Sequence, residues 1–198
     1  MLEDYRRYPI GIQNFEQLRN NNCVYVDKTE LVYRLTHTDQ VYFLSRPRRF
    51  GKSLLVSTLE AYFQGKKDLF RGLAMERLEQ DWESYPVLHI DFSISKYLSA
   101  HYLRSAINWF LERWEREYGC CVEDKKGTPF SVRLGNVIES AYKKTGKAVV
   151  VLVDEYDSPM LDTNSDVALQ GELRGIMRDF FSPLKGICLL YTSPSPRD

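Results

Sequence analysis

Apolar positions along the chain fall into two forms: short continuous runs of the kind that fill strands buried on both faces, and longer stretches at helical spacing. The short runs are Val24 to Val26, Val41 to Leu44 (VYFL), Val87 to Phe92 (VLHIDF), Ala148 to Val153 (AVVVLV) and Ile187 to Leu190. Helical spacing is met first in a short piece, Phe15 to Asn20, and then in a segment capped by Asp27 that carries Leu31, Val32 and Leu35. A helix from Ser53 places Leu54, Leu55, Thr58, Leu59, Tyr62 and Phe63 on one face and is ended by Gly65. The charged segment 66 to 85 predicts short helices. A long amphipathic helix, Tyr97 to Tyr118, presents Leu103, Ile107, Phe110, Leu111 and Trp114 and stops at Gly119; after a polar loop, Ser131 to Lys144 repeats the pattern with Leu134, Val137, Ile138 and Ala141, ending at Gly146. Alternation of this kind predicts an α/β fold, with a parallel sheet covered by helices on both faces and right-handed crossovers.

The VYFL run leads directly into RPRRFGKS, and the helix from Ser53 follows. A phosphate loop is Gly, four residues, then Gly-Lys-Ser/Thr, because successive backbone N–H groups converge on phosphates at a helix N-terminus. Gly51, Lys52 and Ser53 stand in place, while Arg46 occupies the first glycine's position and Pro47 stiffens the next. Arg48 and Arg49, with Arg46, offer bidentate phosphate contacts in exchange for lost backbone ones. Phe50 and Leu54 complete the binding span, with Lys52 reaching the β- and γ-phosphates and Ser53 a magnesium ion. A Gly-Lys-Ser tripeptide alone reads as a solvated basic turn.

A second motif tips that balance. The β-branched run Ala148 to Val153 ends in Asp154 and Glu155, about 100 residues beyond Ser53. Two adjacent carboxylates at a strand tip repel one another unless a cation or donors lie nearby, and magnesium with Lys52 supplies that compensation. Asp154 is then the magnesium residue and Glu155 the general base that polarises the attacking water. His89 and Asp91 fit a packed histidine and a capping aspartate at least as well as a place beside the nucleotide. Tyr156 and Asp157 suit either the mouth of a site or an Asp157-Ser158-Pro159 turn. The basic positions of 66 to 77 and 143 to 147 read as solvated faces.

Composition narrows the function classes. Lys and Arg number 27 against 27 Asp and Glu, so no global field draws the protein to nucleic acid or an anionic membrane. With 43% hydrophobic residues, a chain of 198 can build one α/β domain with a full core. Cys23, Cys120, Cys121 and Cys188 form no CxxC pair and read as buried reduced thiols rather than zinc ligands. No apolar run approaches the ~20 residues of a membrane span, and the charged start (Glu3, Asp4, Arg6, Arg7) lacks a signal core, which predicts a cytoplasmic protein with no membrane partner.

The strings YPIGIQNFEQL, YVDKTELVYRL, FLSRPRRFGKSLLVSTLEAYFQG, LFRGL, YPVLHIDFS and VVVLVDEYDSPML resemble the bacterial AAA-ATPase-like family of predicted ATP-binding proteins, from about residue 8 to about residue 188. Arginine in place of the first glycine, a VDKT box upstream and DEYD downstream are habits of that family. The resemblance implies a P-loop NTPase of the AAA/ASCE kind: a three-layer α/β/α core with a parallel sheet, a strand between the loop strand and the acidic strand, ATP at Arg46 to Ser53, and Asp154 and Glu155 as magnesium and water-activating residues. Relatives are usually longer, and many continue into a nuclease-like domain. Here Ile187 to Leu190 is expected as about the fourth core strand, with Thr192 at its tip, before the chain stops in TSPSPRD. The tail LLYTSPSPRD resembles a translated sequencing-adapter product, so the chain is expected to be truncated.

The expected organisation is an N-terminal lead-in and helix over 1–40, an incomplete ATPase-like domain over 41–188 and an unstructured tail over 189–198. The expected function is binding of Mg-ATP with slow hydrolysis, with ATP and ADP as the ligands. The alternative is a nucleotide-gated module for a downstream nuclease-like effector, through which nucleic acid would be the partner. A phosphotransferase using the same loop would need an acceptor pocket and a lid, for which the sequence offers no signal. Oligomeric state is left open.

Overall fold

The computed structural model describes residues 6–38, 42–44, 50–125, 127–163 and 166–187. Helices dominate it, and a two-stranded parallel sheet makes it an α/β structure. The strands are β1 (Val87–Asp91) and β2 (Val150–Asp154), each five residues long. The chain divides into two compact units, Met1–His89 and Ile90–Asp198, and the division falls inside β1.

The first unit contains α1 (Phe15–Asn20), α2 (Thr29–Thr36), α3 (Lys52–Phe63), a 3-10 turn at Lys67–Phe70 and α4 (Ala74–Leu78). Phe15, Val32, Ala61, Phe70 and Met75 lie in its core, with Tyr62 and Trp82 packed against them. The residues of α3 that are fully buried are Ser57, Thr58 and Ala61 rather than the larger apolar ones. Small side chains allow close approach to α1, where the Phe15 N–H donates to Ser57 Oγ at 2.9 Å. Lys66 pairs with Glu16 at 2.6 Å, and Arg19 donates to the carbonyls of Leu69 and Arg71.

The VDKT box is the clasp of this unit. Asp27 Oδ1 accepts from the Thr29 N–H (2.8 Å) and hydroxyl (2.7 Å), Asp27 Oδ2 accepts from the Ala74 N–H (2.7 Å), and buried Thr29 Oγ1 accepts from the Met75 N–H (3.0 Å). Two side chains thereby satisfy the first donors of two helices at once. Thr29→Val leaves the Met75 N–H unpaired inside the unit and should cost about 1–3 kcal/mol in denaturant unfolding. Burial pushes the Asp27 carboxyl up, but the bonds from Thr29 and Ala74 and the nearby Arg19 charge outweigh it and hold the pKa below the ordinary value. A carboxyl depressed in the folded state stabilises above its unfolded pKa and loses that contribution as pH falls. Unfolding of the wild type should therefore become easier as pH drops below about 4, and Asp27→Asn should flatten that part of the profile.

The second unit holds α5 (Ala100–Tyr118), α6 (Phe130–Thr145), α7 (Ser158–Leu161) and α8 (Val167–Ile187). Helices α5, α6 and α8 pack on one another, burying Leu103, Phe110, Trp114, Leu134, Val137, Leu173 and Phe180. Gly119 and Gly146 end α5 and α6 in left-handed conformations (φ 72° and 68°), where each N–H closes the last turn. Inside the packing, fully buried Arg133 forks onto Glu115, Nε to Oε1 at 2.7 Å and Nη2 to Oε2 at 3.1 Å, and its Nη1 donates to Asn108.

Several expected strands are corrected. Residues 42–44 of the VYFL run belong to no strand and are exposed; Tyr42 OH instead donates to the Leu35 carbonyl at 2.6 Å, and Val41 lies outside the described residues. Residues 24–26 are likewise outside any strand, and Cys23 makes an isolated parallel bridge with Arg7. Four apolar residues make a buried strand only where a ladder and cover on both faces exist, and residues 42–44 are exposed. Val150 to Val153 of β2 are half-buried rather than fully enclosed. Ile187, expected to open a strand, closes α8, and Leu190 and Thr192 lie outside the described residues. Of the thiols expected to be buried, Cys23 is, Cys120 is partly buried and Cys121 is exposed. No helix among the described residues is long and apolar enough to cross a membrane.

Candidate functional site

The two halves of the expected site lie in different units, and each has its own geometry. In the first, Gly51 takes a left-handed conformation (φ 75°, ψ 25°) and α3 begins at once. A Cβ at Gly51 would meet nothing within 4 Å, so the backbone angle, not space, reserves the position for glycine. Lys52 and Ser53 are the first two residues of the helix, both partly exposed. The first intrahelical bond runs from the Leu55 N–H to the Gly51 carbonyl at 3.0 Å, so the N–H groups of residues 52 to 54 precede the helical ladder. Gly51 has no side chain with which to cap this end, and no acidic residue stands in the first turn. A twelve-residue helix with a positive dipole end and a lysine at its first position is suited to an anion.

Phe50 precedes this turn and is 63% exposed. Leu54 packs its side chain against the core of the first unit, which leaves its backbone N–H as the group it can offer a ligand. Arg46, Pro47, Arg48 and Arg49, expected to complete the cradle, lie outside the described residues.

In the second half, β2 carries the chain to Asp154, 6% exposed and the one fully buried residue of the strand. Its Oδ1 accepts from the Glu155 N–H at 3.0 Å. Glu155 is one of three described non-glycine residues with positive φ, at 51°, beside Asn22 and Trp82. Its carbonyl accepts from the Ser158 N–H at 3.0 Å, and α7 starts there with Pro159 buried in its first turn. The acidic tip is thus a sharp strand-to-helix turn with a long side chain in a conformation L-residues avoid. Strain of this kind gathers at functional turns. Glu155→Gly and Glu155→Ala both delete the carboxylate, yet the glycine variant should be the more stable by about 1 kcal/mol in thermal unfolding, since only it accepts the left-handed angle without penalty.

Among the neighbouring residues, Asp91 accepts from the Ser93 N–H at 2.8 Å and caps a 3-10 turn at Phe92–Ile94. His89 Nδ1 lies 2.9 Å from Glu60 Oε2, each side chain 23% exposed, which ties α3 to β1. No sequence signal announces that pair, because the partners are 29 positions apart on different elements. The same holds for the turn at Glu155: residue type alone would predict a backbone with negative φ. Asp157, expected either in the mouth of a site or in a turn, precedes α7 and accepts from the Met160 and Leu161 N–H groups through its carbonyl. Among the described residues no group of three or more His, Cys, Asp or Glu side chains could hold a metal ion.

A family model described as Predicted AAA-ATPase matches residues 9–191, which takes in both halves. The chain is 38% identical over 182 residues to the protein named "Uncharacterized protein in vnfD 5′ region" of Azotobacter chroococcum mcd 1, covering 91% of this chain and 34% of that one. The chain therefore spans about a third of the length of that curated relative. No solved structure matches it.

Proposed function

Because the chain belongs to the Predicted AAA-ATPase family, we propose that it binds Mg-ATP at the turn that opens α3 and hydrolyses it slowly. The observation that carries this reading is the start of α3 at left-handed Gly51, with Lys52 and Ser53 as its first residues. The N–H groups of residues 52 to 54 donate to phosphate oxygens, Lys52 neutralises the β- and γ-phosphates, and Arg46, Arg48 and Arg49 add bidentate contacts. Family membership and the order of the two motifs support a P-loop core of the three-layer kind.

Magnesium fits the residues available. Ser53 offers a hydroxyl and Asp154 a carboxylate, the oxygen donors that magnesium takes. A buried carboxylate such as Asp154, with one oxygen already held by the Glu155 N–H, is favoured by a nearby cation. When bound, the ion would neutralise charge building on the phosphates. Glu155 accepts the proton of the attacking water.

A charge-assisted contact is worth about 1.5–3 kcal/mol, so Lys52→Ala should weaken ATP binding roughly 10- to 150-fold in a fluorescence competition assay while leaving the thermal midpoint near that of the wild type. Equal affinity in the two proteins would overturn the placement of the phosphates. The greater length of the Azotobacter relative supports a second reading, a nucleotide-gated module for a further, nuclease-like part of a longer protein. Under that reading ATP binding persists while turnover is absent.

A further inference from the structure

Cys120 and Cys121 are consecutive residues just beyond the left-handed Gly119 that ends α5. The Cys120 N–H donates to the Glu115 carbonyl at 2.9 Å, which fixes this residue against the end of the helix with its thiol-bearing side chain partly buried. Cys121 is exposed, both thiols are free, and residues 120–122 belong to neither helix nor strand. An accessible thiol is thus followed, one residue back along the chain, by a second that the helix end holds in place. That arrangement separates an attacking thiol from a resolving one.

We propose that Cys120 and Cys121 form a redox-active dithiol that reacts with small-molecule disulfides by thiol–disulfide exchange. The Cys121 thiolate attacks one sulfur of the disulfide RSSR; that S–S bond breaks, a mixed disulfide forms on Cys121, and one RS⁻ leaves and takes up a proton. The Cys120 thiolate then attacks Cys121 Sγ, the mixed disulfide breaks, and the second RS⁻ leaves and is protonated. In balance, two protein thiols are oxidised to one disulfide and RSSR is reduced to two RSH. A ring closed between adjacent residues is strained, and strained disulfides are the easily reduced, labile ones. The product is therefore a reversible mark rather than a structural staple. The irregular backbone after Gly119 lets the linking peptide adjust without unwinding α5.

The experiment treats the reduced full chain with excess glutathione disulfide, blocks residual thiols, and reads intact mass and protease-derived peptides. The expected wild-type product is lighter by two hydrogens, with the bond mapped between Cys120 and Cys121, and dithiothreitol reverses it. Cys120→Ser should instead accumulate a stable glutathione adduct on Cys121, and Cys121→Ser should lose the two-hydrogen product altogether. A stable glutathione adduct on the wild type overturns the proposal. So does a disulfide mapped to Cys23, to Cys188 or between two chains, or a folded wild type that does not react under conditions where the urea-unfolded chain does.

Discussion

Arg133→Ala should destabilise the second unit by about 3–5 kcal/mol, enough to unfold a domain of ordinary stability at modest denaturant. Arg133 is fully buried and Glu115 nearly so, and the pair is bidentate at 2.7 and 3.1 Å. Removing the guanidinium strands a carboxylate where water cannot compensate it and leaves Asn108 without its donor. Lys125 stands 3.6 Å from Glu115 Oε2, but its side chain is 45% exposed, so it relieves only part of the loss. The joint replacement Arg133→Met with Glu115→Leu should be close to neutral, because apolar packing of similar volume substitutes for the charges and their desolvation cost together. Urea unfolding of the two variants separates these outcomes; a single variant as stable as the wild type would mean that the pair contributes nothing between α5 and α6.

Glu155→Gln should slow ATP hydrolysis about 10²- to 10⁴-fold, the usual contribution of a general base, with ATP affinity nearly unchanged. Glutamine keeps the length and shape of the side chain and the strained turn at φ 51°, and removes its charge and its ability to take a proton. The acidic tip also gives the reason for separating this variant from one at Asp154. Asp154 is buried and bonded to the Glu155 N–H, so its replacement disturbs the turn itself. Turnover that is the same in Glu155→Gln and in the wild type would remove Glu155 from the chemistry, whereas ATP binding with no turnover in either protein would favour the gated reading.

How far the sequence could be read depended on whether local signals or distant partners decide a segment. Helices α5 and α6 were legible because apolar positions recur at three and four residues and a glycine closes each, and the structure places both within a few residues of expectation. β1 was legible from its short apolar run, and β2 from its β-branched run. Helix α8 was not, since Gly171, Gly175 and Pro183 interrupt its pattern; yet Leu173, Ile176 and Phe180 recur on one buried face, and packing overrides the weak propensity. The VYFL run illustrates the reverse, an apolar tetrapeptide whose fate no local rule decides. For the site, the Gly-Lys-Ser signature placed the start of α3 at Ser53, one residue beyond Lys52 where the helix begins, because left-handed glycine before a helix is a local event. The strained angle at Glu155 and the bond between His89 and Glu60 arise from tertiary packing and leave no pattern to read.

The central claim, that Lys52, Ser53 and the start of α3 hold the phosphates of ATP, is tested most directly by calorimetric titration of the wild type with ATP, with and without magnesium, and with Lys52→Ala beside it. The account predicts saturable binding of one ATP per chain that weakens when magnesium is withdrawn and weakens again in the variant. A folded wild type that releases no heat of binding, or one whose affinity is indifferent to both magnesium and Lys52, would contradict it.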